Sequence, residues 1–393
     1  MTAPLTVGIL GAGQLARMMS MAASKVGAKC FVLADKESDC AIPVADGHLF
    51  NDKKPGTLLR FCENLDVLTI ENEFIDLDWV KKEIGFLPFY PSLHCLGLVQ
   101  DKLEQKHNLS RCKLACLDYL PVNSLADLKK AQSKFSDGLV LKTARFGYDG
   151  KGTFIFPSSA EFDPSRFWND YLSRTQKNVI QKEFTLEFSG YVEPLAVYKK
   201  ELAVVVARST TGQTLCYPVI ETFQAGGICR WAMAPAQIKP EVISAAQELA
   251  VNVIEGFGGV GVFGIEMFLL ADDRVVINEI APRVHNSGHL TMDGCEVGQF
   301  EMHLRAVAGM PLLGENLRWP GMAMVNIIGP RESAALEFSP EKREIVPPEG
   351  LWIHWYGKTG GALGRKLGHI NACGNSPDEA LKKATAFHQK WFQ

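Results

Sequence analysis

A chain of 393 residues with 47% hydrophobic content can bury a large core and divide into two or three domains. A net charge of -3, without any long lysine or arginine run, argues against nucleic acid or another polyanion as the main partner. No stretch approaches the roughly 18 apolar residues of a membrane helix, and Met1-Thr2-Ala3-Pro4-Leu5 leads straight into a strand pattern, so a cytoplasmic protein without membrane association is expected.

In chain order, Leu5 to Leu10 predicts a buried strand, followed by Gly11-Ala12-Gly13-Gln14-Leu15-Ala16 and a helix to about Val26. A strand from Cys30 to Ala34 ends in Asp35. Strand, glycine turn, helix, strand and acid in this order match a dinucleotide-binding unit, although the same turn serves any anion at a helix N-terminus. Further strands are expected at Val67–Ile70 and Phe86–Tyr90, making a small parallel α/β domain, with Pro91–Leu98 as a linker. Helices are expected at Val99–Asn108, carrying Gln100-Asp101-Lys102, and at Leu125–Lys134. A short strand, Leu139–Lys142, then leads through a glycine-rich turn to another at Thr153–Phe156. Beyond it the pattern predicts a helix near Arg166–Arg174, strands at Val179–Lys182 and Glu201–Arg208, and an amphipathic helix over Glu241–Phe257. An apolar segment, Val262–Leu270, and the strand Val275–Ile277 precede a helix at Gln299–Ala308. Strands near Met324–Ile328 and Trp352–Tyr356 and a basic, glycine-rich loop from Gly357 to His369 complete the pattern. The ten cysteines are scattered without a C-x-x-C pair, as buried thiols in a reducing compartment would be.

The densest chemistry follows the strand at Val275: Asn278-Glu279-Ile280-Ala281-Pro282-Arg283-Val284-His285-Asn286-Ser287-Gly288-His289. With Glu266, the run offers two carboxylates and an amide near the ends of apolar strands, hard oxygen ligands of the kind that hold Mg²⁺ against nucleotide phosphates. Each carboxylate taken alone would be a solvated surface group; in an apolar context an unpaired charge is costly. Lys142 with Gly147-Tyr148-Asp149-Gly150-Lys151-Gly152 resembles a phosphate cradle, although taken alone the pattern favours a plain hairpin turn. Glu193 and Glu201 flank an apolar strand edge, Pro194-Leu195-Ala196, whose backbone could meet adenine while a carboxylate accepts ribose hydroxyls. Lys358, Arg365 and Lys366 suit a phosphate monoester.

Together these motifs resemble, over essentially the full length, the 5-(carboxyamino)imidazole ribonucleotide synthase family (PurK) of ATP-grasp enzymes in purine biosynthesis. The resemblance rests on the glycine turn, Gln100-Asp101-Lys102, Phe146 to Gly152, the Asn278–His289 run, Gln299-Phe300-Glu301, and His354 to Lys358 with Gly364 to His369. It implies an α/β (α+β) ATP-grasp fold: a Rossmann-like domain at about 1–98, an ATP-grasp domain at about 99–308 with a lid at about 115–198, and a C-terminal domain at about 309–393. It also implies a homodimer that uses ATP, two Mg²⁺ ions and bicarbonate to carboxylate 5-aminoimidazole ribonucleotide through carboxyphosphate. Lys102, Lys142, Gly147 to Gly152, Glu193 to Ala196, Glu201, Gln224, Asn278 and Glu279 would bind ATP. Glu266, Glu279 and Asn278 would hold the metal, and Arg283, Lys142 and Tyr148 would be catalytic. Gln14, Leu15, Glu73, Arg283, His285, Asn286, Lys358, Arg365 and Lys366 would bind the ribonucleotide. Two positions depart from the family pattern: lysine stands at 102 where arginine is also seen, and Gln224 where histidine is frequent. A nicotinamide-dependent oxidoreductase accounts for the first glycine turn but leaves the carboxylate pair and the second glycine loop unexplained. A non-catalytic binding protein would not need Glu266, Glu279, Arg283 and Lys142 together.

Overall fold

Strand β1 (Leu5–Leu10) pairs in parallel with β2 (Ala28–Ala34) and β4 (Val67–Ile70), and β3 (Gly47–Phe50) completes a sheet of order β3-β2-β1-β4. These coordinates are a computed structural model describing residues 4–145, 152–170, 189–329, 345–358 and 364–392. β4 is buried along its whole length, as expected for a parallel strand covered on both faces. The helix Gln14–Ala23 follows the glycine turn. The segment expected to link domains is instead helical: Ser92 caps Leu93–Gln100, its hydroxyl accepting from the Cys95 N–H. Asp101 then ends that helix and caps the next, Lys102–Arg111, accepting from the N–H groups of Leu103 and Glu104. One expected helix is thus two, because an aspartate in extended conformation satisfies helix donors better than it continues a helix. Phe86–Tyr90 forms no strand, only a single bridge from Phe89 to Leu68.

A second sheet is small and antiparallel: β5 (Leu120–Val122), β6 (Leu139–Thr143), β7 (Thr153–Phe156) and β8 (Gly190–Pro194) in the order β5-β8-β6-β7. The helix Leu125–Lys134 packs on it through Leu128 and Ala131. The glycine-rich turn at 146–151, with Gly147, Tyr148, Asp149, Gly150 and Lys151, and the strand expected at Val179–Lys182 lie outside the described residues.

The third sheet organises the molecule. Its strands are β9 (Tyr198–Arg208), β10 (Thr214–Cys216), β11 (Ile220–Ala225), β12 (Ile228–Ala234), β13 (Gly261–Leu270), β14 (Val275–Ala281), β15 (Gly321–Ile328), β16 (Leu351–Trp355) and β17 (Lys366–Gly374). They run antiparallel in the order β14-β13-β9-β11-β12-β15-β17-β16, with β10 beside β9. Pairing of β12 with β15, Trp231 opposite Val325 and Met233 opposite Ala323, makes the C-terminal strands continue the same sheet. Lys366 opens β17, so the basic segment expected as loop is a strand from that point on.

Helix Gln299–Val307 joins the first and third sheets through His303. Nδ1 of this ring accepts from the Val262 N–H at 3.1 Å, which places the ring proton on Nε2, 2.8 Å from Thr69 Oγ1 on β4. Burial holds the His303 pKa down to about 4. Between the ordinary histidine pKa and that value the unfolded imidazole takes up a proton that the folded one refuses. Stability present at neutral pH should therefore be lost as pH falls, about 2–3 kcal/mol for this group by pH 4.5. Urea unfolding at pH 7 and pH 4.5 checks it: His303→Gln should start less stable and lose correspondingly less on acidification.

Candidate active site

On neighbouring strands β13 and β14, Glu266 stands opposite Glu279. The register then shifts, Met267 facing Ile277, so that Asn278 is an extra residue on β14. Such a bulge re-aims side chains that a regular strand would send to opposite faces. Both consecutive side chains consequently meet lysines: Asn278 Oδ1 accepts from Lys142 Nζ at 3.0 Å, and Glu279 Oε1 lies 3.1 Å from Lys102 Nζ. Burial, then the charges of Glu279 and Glu201, lift the Glu266 pKa to about 7. Gln224 reaches Glu266 Oε1 from β11 at 3.4 Å, which gives this uncertain position a definite place.

Behind Lys142 lies a second, fully buried lysine. Glu193 takes Lys142 on Oε2 at 2.8 Å and Lys106 on Oε1, and Glu193 and Lys106 are each 1% exposed. Burial would raise the Glu193 carboxyl, but the two lysines outweigh it and hold it below the usual carboxylate range. Lys142 is likewise kept charged, its own desolvation overcome by Glu193. The Glu193 side chain, expected beside adenine, is thus committed to lysines, and its backbone stands opposite Val140 in the sheet. Leu195 donates its N–H to Gly138 at 3.0 Å, and Pro194, Leu195 and Ala196 lead from β8 toward β9. Glu201 lies in β9 between Phe268 of β13 and Thr222 of β11, its side chain accepting from the Tyr198 hydroxyl at 2.8 Å.

A cleft of about 480 Å³ gathers the remainder: Gln14, Leu15, Glu73, Gln224, Glu266, Glu279, Arg283, His285, Asn286, Lys358, Arg365 and Lys366 all line it. Lys102 and Lys142 join it through Glu279 and Asn278. Arg283 is gripped by Glu73, Nε to Oε2 at 2.6 Å and Nη2 to Oε1 at 3.2 Å, while Nη1 donates to the Val284 carbonyl at 3.2 Å. Of five guanidinium donors these use three, leaving one on each terminal nitrogen. His285 is held neutral, its pKa pushed to about 3 by burial and by Arg283 and Lys366. Its Nδ1 faces the Ser287 hydroxyl at 2.8 Å and Nε2 points at Glu266 at 3.6 Å. Across the cleft, Lys358 donates to Gln14 Oε1 and to the Lys366 carbonyl at 3.0 Å. Burial, then Arg365, lowers the Lys358 pKa to about 8.

Three family models match the chain: Ribonucleotide synthetase preATP-grasp domain over residues 4–100, ATP-grasp domain over 107–300, and Phosphoribosylaminoimidazole carboxylase C-terminal domain over 322–383. The N5-carboxyaminoimidazole ribonucleotide synthase of Synechococcus elongatus is 35% identical over 93% of this chain and 88% of its own. This chain belongs to the N5-carboxyaminoimidazole ribonucleotide synthase family. Among solved structures, an ADP complex of purK, N5-carboxyaminoimidazole ribonucleotide synthetase, superimposes with a TM-score of 0.84 at 31% identity, covering 100% of this chain and 99% of that one. The Aspergillus clavatus synthase in complex with ADP and 5-aminoimidazole ribonucleotide gives 0.82 at 30% identity and 98% coverage of both.

Within this synthase fold, three amide side chains that the sequence does not single out for this purpose brace the Asn278–His289 run. Gln105 accepts from the Ile280 N–H at 3.2 Å. Gln299 accepts from the His285 N–H and donates to the His285 carbonyl, both at 2.8 Å. Asn326 donates to Asn286 Oδ1 at 2.7 Å and accepts from its Nδ2 at 3.1 Å. They come from three different elements, so no local spacing signals them. Lys106 was equally silent, being one more polar residue on a helix.

Because Glu193 is dry, removing one of its lysines should be felt as stability. Lys106→Met is expected to lower the unfolding free energy by about 3 kcal/mol, the low end for breaking a buried ion pair from one side, since Lys142 remains. Lys134→Met, whose partner Asp118 is largely exposed, should cost no more than about 1 kcal/mol in the same urea titration.

Proposed function

We propose that this chain is an ATP-dependent ligase that carboxylates 5-aminoimidazole ribonucleotide with bicarbonate, giving N5-carboxyaminoimidazole ribonucleotide, ADP and phosphate. The observation that carries this proposal is a single cleft in which the opposed Glu266–Glu279 pair, with Lys102 on Glu279, meets Arg283, His285, Asn286 and the basic residues Lys358, Arg365 and Lys366.

The carboxylate pair fits Mg²⁺. Two carboxylates opposed across adjacent strands repel, and Glu266 resists losing its proton until a cation is near. Among the described residues no group of three or more His, Cys, Asp and Glu side chains could hold a metal ion, so substrate phosphates and water would have to complete its coordination. Bound there, Mg²⁺ would neutralise phosphate charge during transfer. Lys142 and Lys102 would meet the phosphates, Pro194 to Ala196 would offer backbone to adenine, and Glu201 would accept the ribose hydroxyls.

Bicarbonate oxygen attacks the γ-phosphorus, the bond to ADP breaks, and carboxyphosphate forms. The exocyclic amine then takes the carboxyl group with loss of a proton, and phosphate leaves. Arg283 serves the middle of this sequence. Glu73 fixes its plane, and the two donors left on its terminal nitrogens match a planar carboxyl oxygen pair. Glu73 thereby acts on the substrate through Arg283. Neutral His285 and Asn286 would position the imidazole, and the basic segment would hold the ribonucleotide phosphate. Carboxyphosphate is labile in water, so both reactants must be held together in a closed cleft.

Division of the chain near residues 98 and 308, a homodimer and a cytoplasmic setting belong to the same proposal. Among the described residues no helix is long and apolar enough to cross a membrane.

ADP release should require the ribonucleotide, rise with bicarbonate and ignore NAD when components are omitted one at a time. Full activity in Glu279→Ala would sink the assignment. Arg283→Lys loses the planar fork and is expected to slow carboxylation by about 100-fold, in the range for losing an oriented charge-stabilising donor. Calorimetric ATP affinity should change less than threefold, and equal losses in both would count against the role given to Arg283.

A further inference from the structure

The glycine turn that predicts a dinucleotide site is already filled by the chain itself. Glu71 follows β4, whose Ile70 lies beside Leu10 of β1, and its carboxylate enters the turn at the start of helix Gln14–Ala23. Oε1 accepts from the Gly13 N–H at 2.7 Å and Oε2 from the Ala16 N–H at 3.2 Å. These are helix-terminal donors of the kind that pyrophosphate takes in a dinucleotide-binding fold. A Cβ on Gly11 would stand 2.6 Å from Glu71 Cγ, and one on Gly13 would stand 2.7 Å from Oε1. A side chain at either glycine would press on this internal carboxylate, and Gly11 also holds a positive φ of 104°.

The next residue along is Gln14, which receives Lys358 from across the cleft, and Lys358 in turn holds the Lys366 carbonyl. Glu71, Gln14, Leu15, Lys358 and Lys366 all line the cleft. We propose that Glu71 is a positioning residue for the ribonucleotide. By bridging Gly13 and Ala16 it fixes the turn that presents Gln14 and Leu15. By putting negative charge at the helix terminus it closes that terminus to phosphate and leaves the substrate phosphate to Lys358, Arg365 and Lys366. This rests on the ribonucleotide being the substrate, as proposed above.

A carboxylate can accept at both oxygens; a glutamine amide must turn one NH₂ donor against a backbone N–H. Steady-state kinetics of the full chain, varying each substrate in turn, with thermal unfolding alongside, tests the role. Glu71→Gln should raise KM for 5-aminoimidazole ribonucleotide at least tenfold, with KM for ATP and for bicarbonate within about twofold of wild type. Glu71→Asp keeps the charge on a shorter arm and should lie between. A parallel rise in all three KM values, or a lowered unfolding temperature with an unchanged ribonucleotide KM, overturns the proposal. If the glutamine protein does not fold, the aspartate protein decides: a wild-type ribonucleotide KM there is equally fatal. Wild-type enzyme that releases ADP without regard to the ribonucleotide would remove the proposed function and this role together, whereas normal wild-type dependence with an insensitive variant removes only the role.

Discussion

Two carboxylates facing each other across β13 and β14 set the terms for everything around them. In a sheet, like charges in directly opposed positions destabilise the pairing, and partial burial sharpens the repulsion. The chain keeps Glu266 and Glu279 there and surrounds them: Lys102 at Glu279, Gln224 and neutral His285 at Glu266, and Lys142 one residue away on Asn278. A protonated His285 would have paired with Glu266 and relieved the strain internally. Burial and the neighbouring Arg283 and Lys366 keep His285 neutral, so the pair gains no charge from it. The bulge at Asn278 belongs to the same constraint, because it lets an amide and a carboxylate adjacent in sequence both face lysines.

Along the Asn278–His289 run the first two side chains meet lysines, Asn278 at Lys142 and Glu279 at Lys102, while Arg283, His285 and Asn286 line the cleft with Lys358, Arg365 and Lys366. Three amides anchored elsewhere hold the run's backbone and side chains at Ile280, His285 and Asn286. The lysines have their own anchor in Glu193, which pairs with Lys106 and Lys142. Lys142 is thus aimed from behind by Glu193 and from beside by Asn278.

Much of this architecture was legible where one face or both faces of an element are buried. Apolar runs such as Val204 to Ala207, the amphipathic helix at 240–256 and the parallel strands of the first sheet declare themselves through periodicity. Legibility failed where a polar residue closes a contact over long sequence distance. Asp101 breaking a helix can be argued locally, since it caps its own successors. Nothing near Trp231 announces that β12 will pair with β15 and carry the C-terminal strands into the same sheet. The bulge at Asn278 exists only as a relation between two strands. The resemblance of whole motifs named residues that line the cleft, but it said nothing of the contacts among them: Glu73 grips Arg283, and Glu193 grips two lysines.

Glu71 shows why a short motif can be chemically right and functionally misleading. The Gly11-Ala12-Gly13 turn does what the pattern promises, presenting unsatisfied N–H groups at a helix terminus to an anion. Which anion arrives is decided about sixty positions later, by a glutamate at the end of the adjacent parallel strand, so the turn alone cannot distinguish a cofactor site from a structural one. The exchange has a physical logic. A tethered carboxylate reaches the turn without the loss of translational freedom that a free ligand incurs; burial raises its pKa, and the same N–H donors and Arg283 reduce that rise without cancelling it. Once occupied, the helix terminus has no free pull on phosphate, and the binding chemistry of the first sheet moves outward to the side chains of the next turn. A turn of the dinucleotide-binding pattern is thus satisfied from within the chain, by Glu71 on the Gly13 and Ala16 N–H groups.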